Sequence, residues 1–275
     1  MGVTHVMRAD EFIASTPKFL SLYDALGIPQ PVLVTLPPIL SPEGNKKLGK
    51  RDGAKDILEY REEGYLPEAM VNFLAFLGWN PGGEKEIMTI DEIISHFEIS
   101  KIHKAGAMFN EEKLLWMNKE HVRLKSKEEQ LEAIIPYFKD YNRELLKKLL
   151  PTVIDRISVY RELIEIEASE FRFFKERPVL NVEKVVWKDS EKSEAKMHIL
   201  AVLEILKSTD FSSVVSIKDA IMAYAEVHGK GNVLWPLRMT LSGQEKSVDP
   251  FTICYVLGLE EVTNRIQEVS KALDS

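Results

Sequence analysis

Strand-like patterning is confined to two short stretches, "VTHVMR" (residues 3–8) and "PVLVTLPPIL" (31–40). Both are rich in β-branched residues and both are followed by breakers. A doubly wound parallel sheet needs several strand–helix–strand units of about 30 residues each. The first fifty residues are too few for that, so any sheet here is a small piece ahead of a long helical region. With 275 residues the chain has room for about two domains at ~150 residues each.

The helical reading rests on period and punctuation. In "LPEAMVNFLAFLGW", Leu66, Ala69, Met70, Phe73, Leu74 and Leu77 share one face, and Gly78 stands where a C-terminal cap would. Ser126 and Glu129 have the spacing of a capping box. Pro151 is placed to open a helix running through "TVIDRISVYRELIEIEASEFRFF", with Val153, Ile157, Tyr160 and Ile164 on one face, and Pro178 ends it. "SEAKMHILAVLEILKS" and "SIKDAIMAYAEVHG" are amphipathic, the second closed by Gly229. Asp249 and Pro250 form an N-cap and first-turn proline ahead of "FTICYVLG", and "EEVTNRIQEVSKAL" is the last helix.

Composition excludes several classes. No run of 18 apolar residues occurs and the N-terminus lacks the pattern of a signal peptide. The single cysteine, Cys254, lies in an apolar run, which predicts a buried core thiol and a reduced, cytoplasmic setting. The six histidines are scattered without metal-ligand spacing, so no metal site is expected. A formal net charge of −7 weighs against nucleic acid as a partner. Against that background the loop "NKKLGKRDGAKD" is anomalous: it carries Lys46, Lys47, Lys50, Arg51 and Lys55.

Within it, "KLGKR" (47–51) resembles the lysine-rich signature loop of class I aminoacyl-tRNA synthetases, in the form usual for glutamate enzymes. "MGVTHVMRADEFIASTPKFLSLYDALGIPQP" resembles the segment before that loop in bacterial glutamyl-tRNA synthetases. "GYLPEAMVNFLAFLGWNPG" and "FNEEKLLWMNKEHVR" are similar to the segments after it, and "WPLRMTLSGQEKSVDPFTICYVLG" to the anticodon-binding stretch. Two departures stand out. Gly49 replaces the family's central serine, and the first, His-containing ATP signature is absent from these residues.

The resemblance implies a mainly α fold. A short α/β remnant of a Rossmann-type catalytic domain (1–52) would precede a helical stem-contact domain (53–125) and two helical anticodon-binding subdomains (126–178 and 179–275). It implies a C-terminal portion of a glutamate–tRNA ligase that lacks the N-terminal half of the catalytic domain. ATP is a substrate of the parent enzyme, accompanied by Mg2+, and the partners are tRNA(Glu), ATP and glutamate. A monomer that binds tRNA without catalysis is expected. The alternatives are a complete small ATP-using enzyme and a helical interaction scaffold without RNA contacts.

Residue by residue, Lys47 and Lys50 match the loop lysines that stabilise the charge building on pyrophosphate as it leaves. Arg51, Glu11 and Phe12 match ATP-side positions. Arg8 matches an arginine presented to the substrate glutamate, a task suited to its bidentate fork. Arg238, with Ser247, Val248 and Pro250, matches anticodon contacts, and Arg156 matches the arginine that reads the third anticodon base.

Each has a plainer reading. Arg8 and Arg156 would be surface arginines, Glu11 a first-turn charge, and Phe12 a core residue. Trp187 and Trp235 would be core aromatics rather than stacking platforms. Between Lys101 and Lys127 seven basic residues face three acidic ones, a local +4. That stretch is either a solvated helix face or a tRNA-stem contact through Lys119, Arg123 and Lys125.

Overall fold

A computed structural model describes residues 2–44, 46–49, 54–179 and 181–274. Lys50 and Arg51 of the basic loop lie outside the described residues. The chain divides into two units: one comprises Met1–Ser126 with Ile157–Arg161, the other Lys127–Arg156 with Glu162–Ser275.

The first unit opens with β1 (His5–Ala9), a 3-10 stretch (Asp10–Ser15), α1 (Thr16–Leu26) and β2 (Val32–Leu36). β1 and β2 pair in parallel, from His5 opposite Val32 to Ala9 opposite Leu36. Pro17 sits in the first turn of α1, and Gly27 closes the helix at φ 64°, a left-handed position that glycine takes without strain. β3 (Ile39–Leu40) does not join that sheet. It pairs in parallel with β4 (Ala107–Met108), far along the chain. Strands are therefore not confined to the first forty residues. A two-residue strand has no alternation that a sequence could display, which is why Ala107–Met108 escapes notice.

Four α-helices complete this unit among its described residues. α2 (Ile57–Glu63) starts at an Asp56/Glu59 capping box, and α3 is Pro67–Gly78. α4 (Ile90–His96) starts at a Thr89/Glu92 capping box, and α5 (Glu111–Leu124) at an Asn110 cap. Gly78 is the last residue of α3 rather than its cap, which is Trp79 in extended geometry. Tyr60, Tyr65, Met70, Phe73, Leu77, Leu114, Met117 and Val159 form the core.

Two buried asparagines tie this core together. Asn118 accepts from the Leu66 N–H at 2.8 Å and donates to the Ser158 carbonyl at 2.6 Å. Asn72 accepts from the Met88 N–H at 2.9 Å and meets His121 Nε2 at 3.0 Å. An amide oxygen can only accept, so the imidazole donates there.

The second unit is all helical among its described residues: α6 (Lys127–Ile134), α7 (Arg143–Arg156), α8 (Leu163–Ile166), α9 (Val182–Val185), α10 (Lys192–Lys207), α11 (Val214–His228), α12 (Lys230–Ser242) and α13 (Pro250–Ala272). Pro151 lies inside α7 rather than opening a helix. Leu146, Leu149, Leu150, Val153 and Ile154 are buried on both sides of it, and their burial outweighs the ~3 kcal/mol an interior proline costs. Beyond Arg156 the expected long helix is broken. α8 leads into a π-helical turn (Glu167–Phe171) and a 3-10 turn (Arg172–Phe174), and Ile164 is exposed instead of facing the core.

Asp249 caps α13 as expected, accepting from Thr252 N at 2.9 Å. Gly258 breaks that helix at φ 77°, between the two segments read separately from sequence. α12 carries Pro236 internally. Cys254 is fully buried, and burial pushes its thiol well above the ordinary range. His198 and His228, distant in sequence, come within 5.7 Å between α10 and α11, beside Tyr224. No helix among the described residues is long and apolar enough to cross a membrane.

Burial holds His121 below the ordinary histidine value, against a smaller upward pull from Glu68 and with a small downward one from Lys125. The unfolded chain therefore takes up a proton near pH 6.5 that the folded chain refuses. Stability of the first unit should fall as pH drops from 7 to 5.5. His121→Gln, which keeps a donor but does not titrate, should flatten that dependence. Urea midpoints at the two pH values check this.

Candidate functional site

In the first unit, four residues singled out from sequence meet around the end of β1. Arg8 is half-buried on that strand. Its Nη2 donates to Thr16 Oγ1 at 3.4 Å, and its guanidinium stands over the rings of Phe12 (5.4 Å) and Phe19 (5.6 Å). Glu11 and Phe12 lie on the 3-10 stretch that follows. Phe12 is 45% exposed, so the core reading fails for it.

Lys47 is bridged to Leu40 beside β3, and its ammonium donates to the Glu11 carboxylate. That hydrogen bond raises the Lys47 pKa, so the ammonium stays charged. The result is an exposed cation held by an exposed carboxylate, next to an arginine and an aromatic face. An incoming polyanion would compete with Glu11 for Lys47. Among the described residues, no group of three or more His, Cys, Asp or Glu could hold a metal ion.

The basic stretch on and around α5 is less free than its charge count suggests. Lys101 pairs with Glu98, Lys113 with Glu86, Arg123 with Glu120 and Lys125 with Glu68, each at 2.7–2.8 Å. Two of these partners, Glu68 and Glu86, lie far from residues 101–127 in sequence, so no short window reveals them. The Lys125 hydrogen bond holds the Glu68 carboxyl below its usual range.

In the second unit, one open cleft of about 730 Å³ gathers Arg156, Glu170, Trp235, Arg238, Lys246 and Ser247 along its walls. Arg156 is the last residue of α7, Arg238 belongs to α12, and Ser247 lies in the turn before α13. Nη1 of Arg238 donates to Ser247 O (2.9 Å), Ser247 Oγ (3.0 Å) and Val248 O (3.2 Å), so this arginine builds the turn beside which it sits. Burial lowers its pKa, but a guanidinium remains charged.

The Val248 and Pro250 side chains are buried, so they shape the turn rather than present themselves outward. Trp235 is half-buried. Its Nε1 donates to the Lys184 carbonyl at 3.0 Å, and its ring lies 5.0 Å from that of Trp187. A Cβ at Gly231 would come within 2.4 Å of Trp187 Nε1, so that position must stay bare.

Sequence reasoning brought Arg156, Arg238 and Ser247 forward but missed Glu170 and Lys246. Glu170 is fourteen residues beyond Arg156, on a π-helical turn, and carries no motif.

The comparisons with known proteins agree with this division. A family model for the catalytic domain of class I tRNA synthetases (E and Q) matches residues 1–116, and one for an anticodon-binding domain matches residues 129–270. The chain thus joins class I synthetase catalytic-domain sequence to an anticodon-binding domain.

It is 38% identical over 267 residues to glutamate–tRNA ligase 1 of Fervidobacterium nodosum, covering 97% of this chain and 55% of that protein. It is 35% identical over 297 residues to glutamate–tRNA ligase of Bacteroides thetaiotaomicron, covering 99% and 58%. The crystal structure of a glutamate tRNA ligase from Elizabethkingia meningosepticum, in complex with its amino acid, superposes with a TM-score of 0.78 at 32% identity. That likeness covers 98% of this chain and 57% of the other. The chain belongs to the glutamyl-tRNA synthetase family and spans a little over half the length of the relatives it matches.

Arg238→Leu should cost about 1–3 kcal/mol, because the Ser247 and Val248 carbonyls lose their donor. A lower denaturant midpoint, with faster amide exchange at residues 246–249, is the expected signature.

Proposed function

We propose that this chain is the tRNA-binding portion of a glutamate–tRNA ligase, with the anticodon arm of tRNA(Glu) docking on the second unit. The observation that carries this reading is the convergence of Arg156, Arg238 and Ser247 on one cleft. They come from two stretches far apart in sequence, Arg156 from one and Arg238 with Ser247 from the other. Within it, Arg238 and the 247–250 turn form a contact surface and Arg156 reads the third anticodon base. Unstacked bases are recognised through stacking and their hydrogen-bonding edges, and Trp235 offers a ring at the same cleft.

Residues 1–52 carry catalytic-domain sequence with the lysine loop, and 53–125 the stem-contact domain. Residues 126–178 and 179–275 are the two anticodon subdomains. Lys119, Arg123 and Lys125 face the tRNA stem, and Lys125 would exchange its Glu68 partner for a phosphate.

In the whole enzyme, glutamate attacks the α-phosphate of ATP to give glutamyl-adenylate and pyrophosphate, and a tRNA hydroxyl then takes the glutamyl group from the adenylate, releasing AMP. Arg8 would hold the substrate carboxylate and Lys47, with Lys50 and Arg51, the leaving pyrophosphate. Glu11 and Phe12 would line the ATP side, with Mg2+ accompanying ATP. Lysines at the departing charge act most strongly in the transition state.

Two measurements test this reading. In binding titrations at several salt concentrations, Arg156→Ala should weaken the complex with tRNA carrying a glutamate anticodon and narrow its margin over a glutamine anticodon. A base contact is worth about 1–3 kcal/mol of discrimination. Lys125→Ala should weaken both alike and flatten the salt slope. If Arg156→Ala leaves both affinities unchanged, that residue is a surface charge and the preference for the glutamate anticodon loses its support; no salt-dependent binding by the unmodified chain would make it a scaffold without RNA contacts.

In ATP–pyrophosphate exchange with glutamate and tRNA, the 275-residue chain alone should stay at background. Turnover well above it would place a complete ATP site within these residues.

A further inference from the structure

Arg156 does not stand alone in the cleft. Its Nη1 meets Oε2 of Glu170, and its guanidinium lies 5.7 Å over the ring of Phe171. Both partners of the ion pair keep about a third of their side-chain surface open, 33% and 35%. The pair therefore faces the cleft instead of being sealed in it.

The turn that carries Glu170 is fixed from two sides. The Tyr141 hydroxyl donates to Glu167 Oε1 at 2.9 Å and to the Phe171 carbonyl at 3.1 Å. Gln244 Nε2 donates to the Ser169 carbonyl at 2.8 Å. A plain surface ion pair between two long side chains needs no such support.

A carboxylate oxygen beside a guanidinium edge presents an acceptor followed by donors. That order is the one guanine shows on its pairing edge, and its complement is cytosine, which offers the N4 amino group, then N3, then O2. We propose that Glu170 is a second base-reading residue. It accepts from the N4 amino group of a cytosine while Arg156 donates to N3 and O2. This rests on the anticodon reading above and adds a specificity-determining residue to it.

Glutamate anticodons end in cytosine and glutamine anticodons in guanine, so the pair discriminates where the two tRNAs differ. Adenine satisfies the carboxylate through its amino group and offers one acceptor to Arg156. Guanine and uracil set a carbonyl oxygen against the carboxylate. The order of preference is cytosine, adenine, then guanine and uracil. Acidic side chains accept from the cytosine amino group in duplex recognition by the same chemistry.

The test is fluorescence anisotropy of the full chain with four anticodon stem-loop RNAs that differ only in the third anticodon base. Wild type, Glu170→Ala, Glu170→Gln and Arg156→Ala are compared, with thermal melts of each. Glu170→Ala should cut the cytosine-over-guanine ratio about tenfold by weakening cytosine, without weakening guanine. Glu170→Gln keeps the shape and can turn a donor toward the guanine carbonyl. It should lower the same ratio partly by strengthening guanine, which a merely structural role would not do.

If Arg156→Ala abolishes discrimination while both Glu170 variants retain the wild-type ratio, the inference is overturned and the anticodon reading stands. If wild type itself does not distinguish the four RNAs, both fall.

Discussion

Arg265 is buried to 4% exposure in α13, and the second unit is organised around its charge. Its Nη2 donates to the Phe173 carbonyl at 2.8 Å, its Nη1 to the Leu241 carbonyl, and its Nε to Glu261 at 2.9 Å. A guanidinium taken out of water costs several kcal/mol unless its donors are matched. Here they are matched by three segments: the 3-10 turn after the π-helical turn, the C-terminal end of α12, and α13 itself. Burial alone would raise the Glu261 carboxyl, but the guanidiniums of Arg177 and Arg265 hold it below its usual range. The same charge thus fixes the segments that follow Glu170 and Arg238, and so frames both walls of the cleft.

Much of this was legible in the chain, and what was not has identifiable causes. Helices with both a period and a cap were readable: Asp249–Pro250 opens α13 and Gly229 follows α11, as their spacing predicts. Proline marks one departure. Pro151 and Pro236 both lie inside helices, because buried residues on either side outweigh the lost hydrogen bond. Propensity is local, while burial is decided by neighbours far along the chain.

The candidate site divides the same way. Arg8, Glu11, Phe12 and Lys47 were named separately, and the fold assembles them. Glu170 was invisible because nothing local distinguishes it from any other helical glutamate.

Charge patterning shows the same limit. The excess of basic residues between Lys101 and Lys127 is real in sequence, yet Glu68 and Glu86 reach it from other elements. Many cations of this acidic chain thus have an anion beside them, in both candidate sites as well. Such a surface gives little long-range attraction. Recognition on it depends on exchanging one partner for another at short range, which favours shape and edge complementarity over diffuse attraction to polyanions.

The π-helical turn from Glu167 to Phe171 holds one residue more than an α-helical turn would. Each residue of an α-helix advances its side chain by about 100° around the axis. Removing a single residue within that turn would restore regular winding and rotate whatever follows by about that angle, carrying Phe171 away from its edge-to-face contact with Phe138. The aim of this wall is thus set by length as well as by side-chain identity. A change of one residue in length would therefore re-aim this wall of the cleft while leaving every remaining side chain as it is.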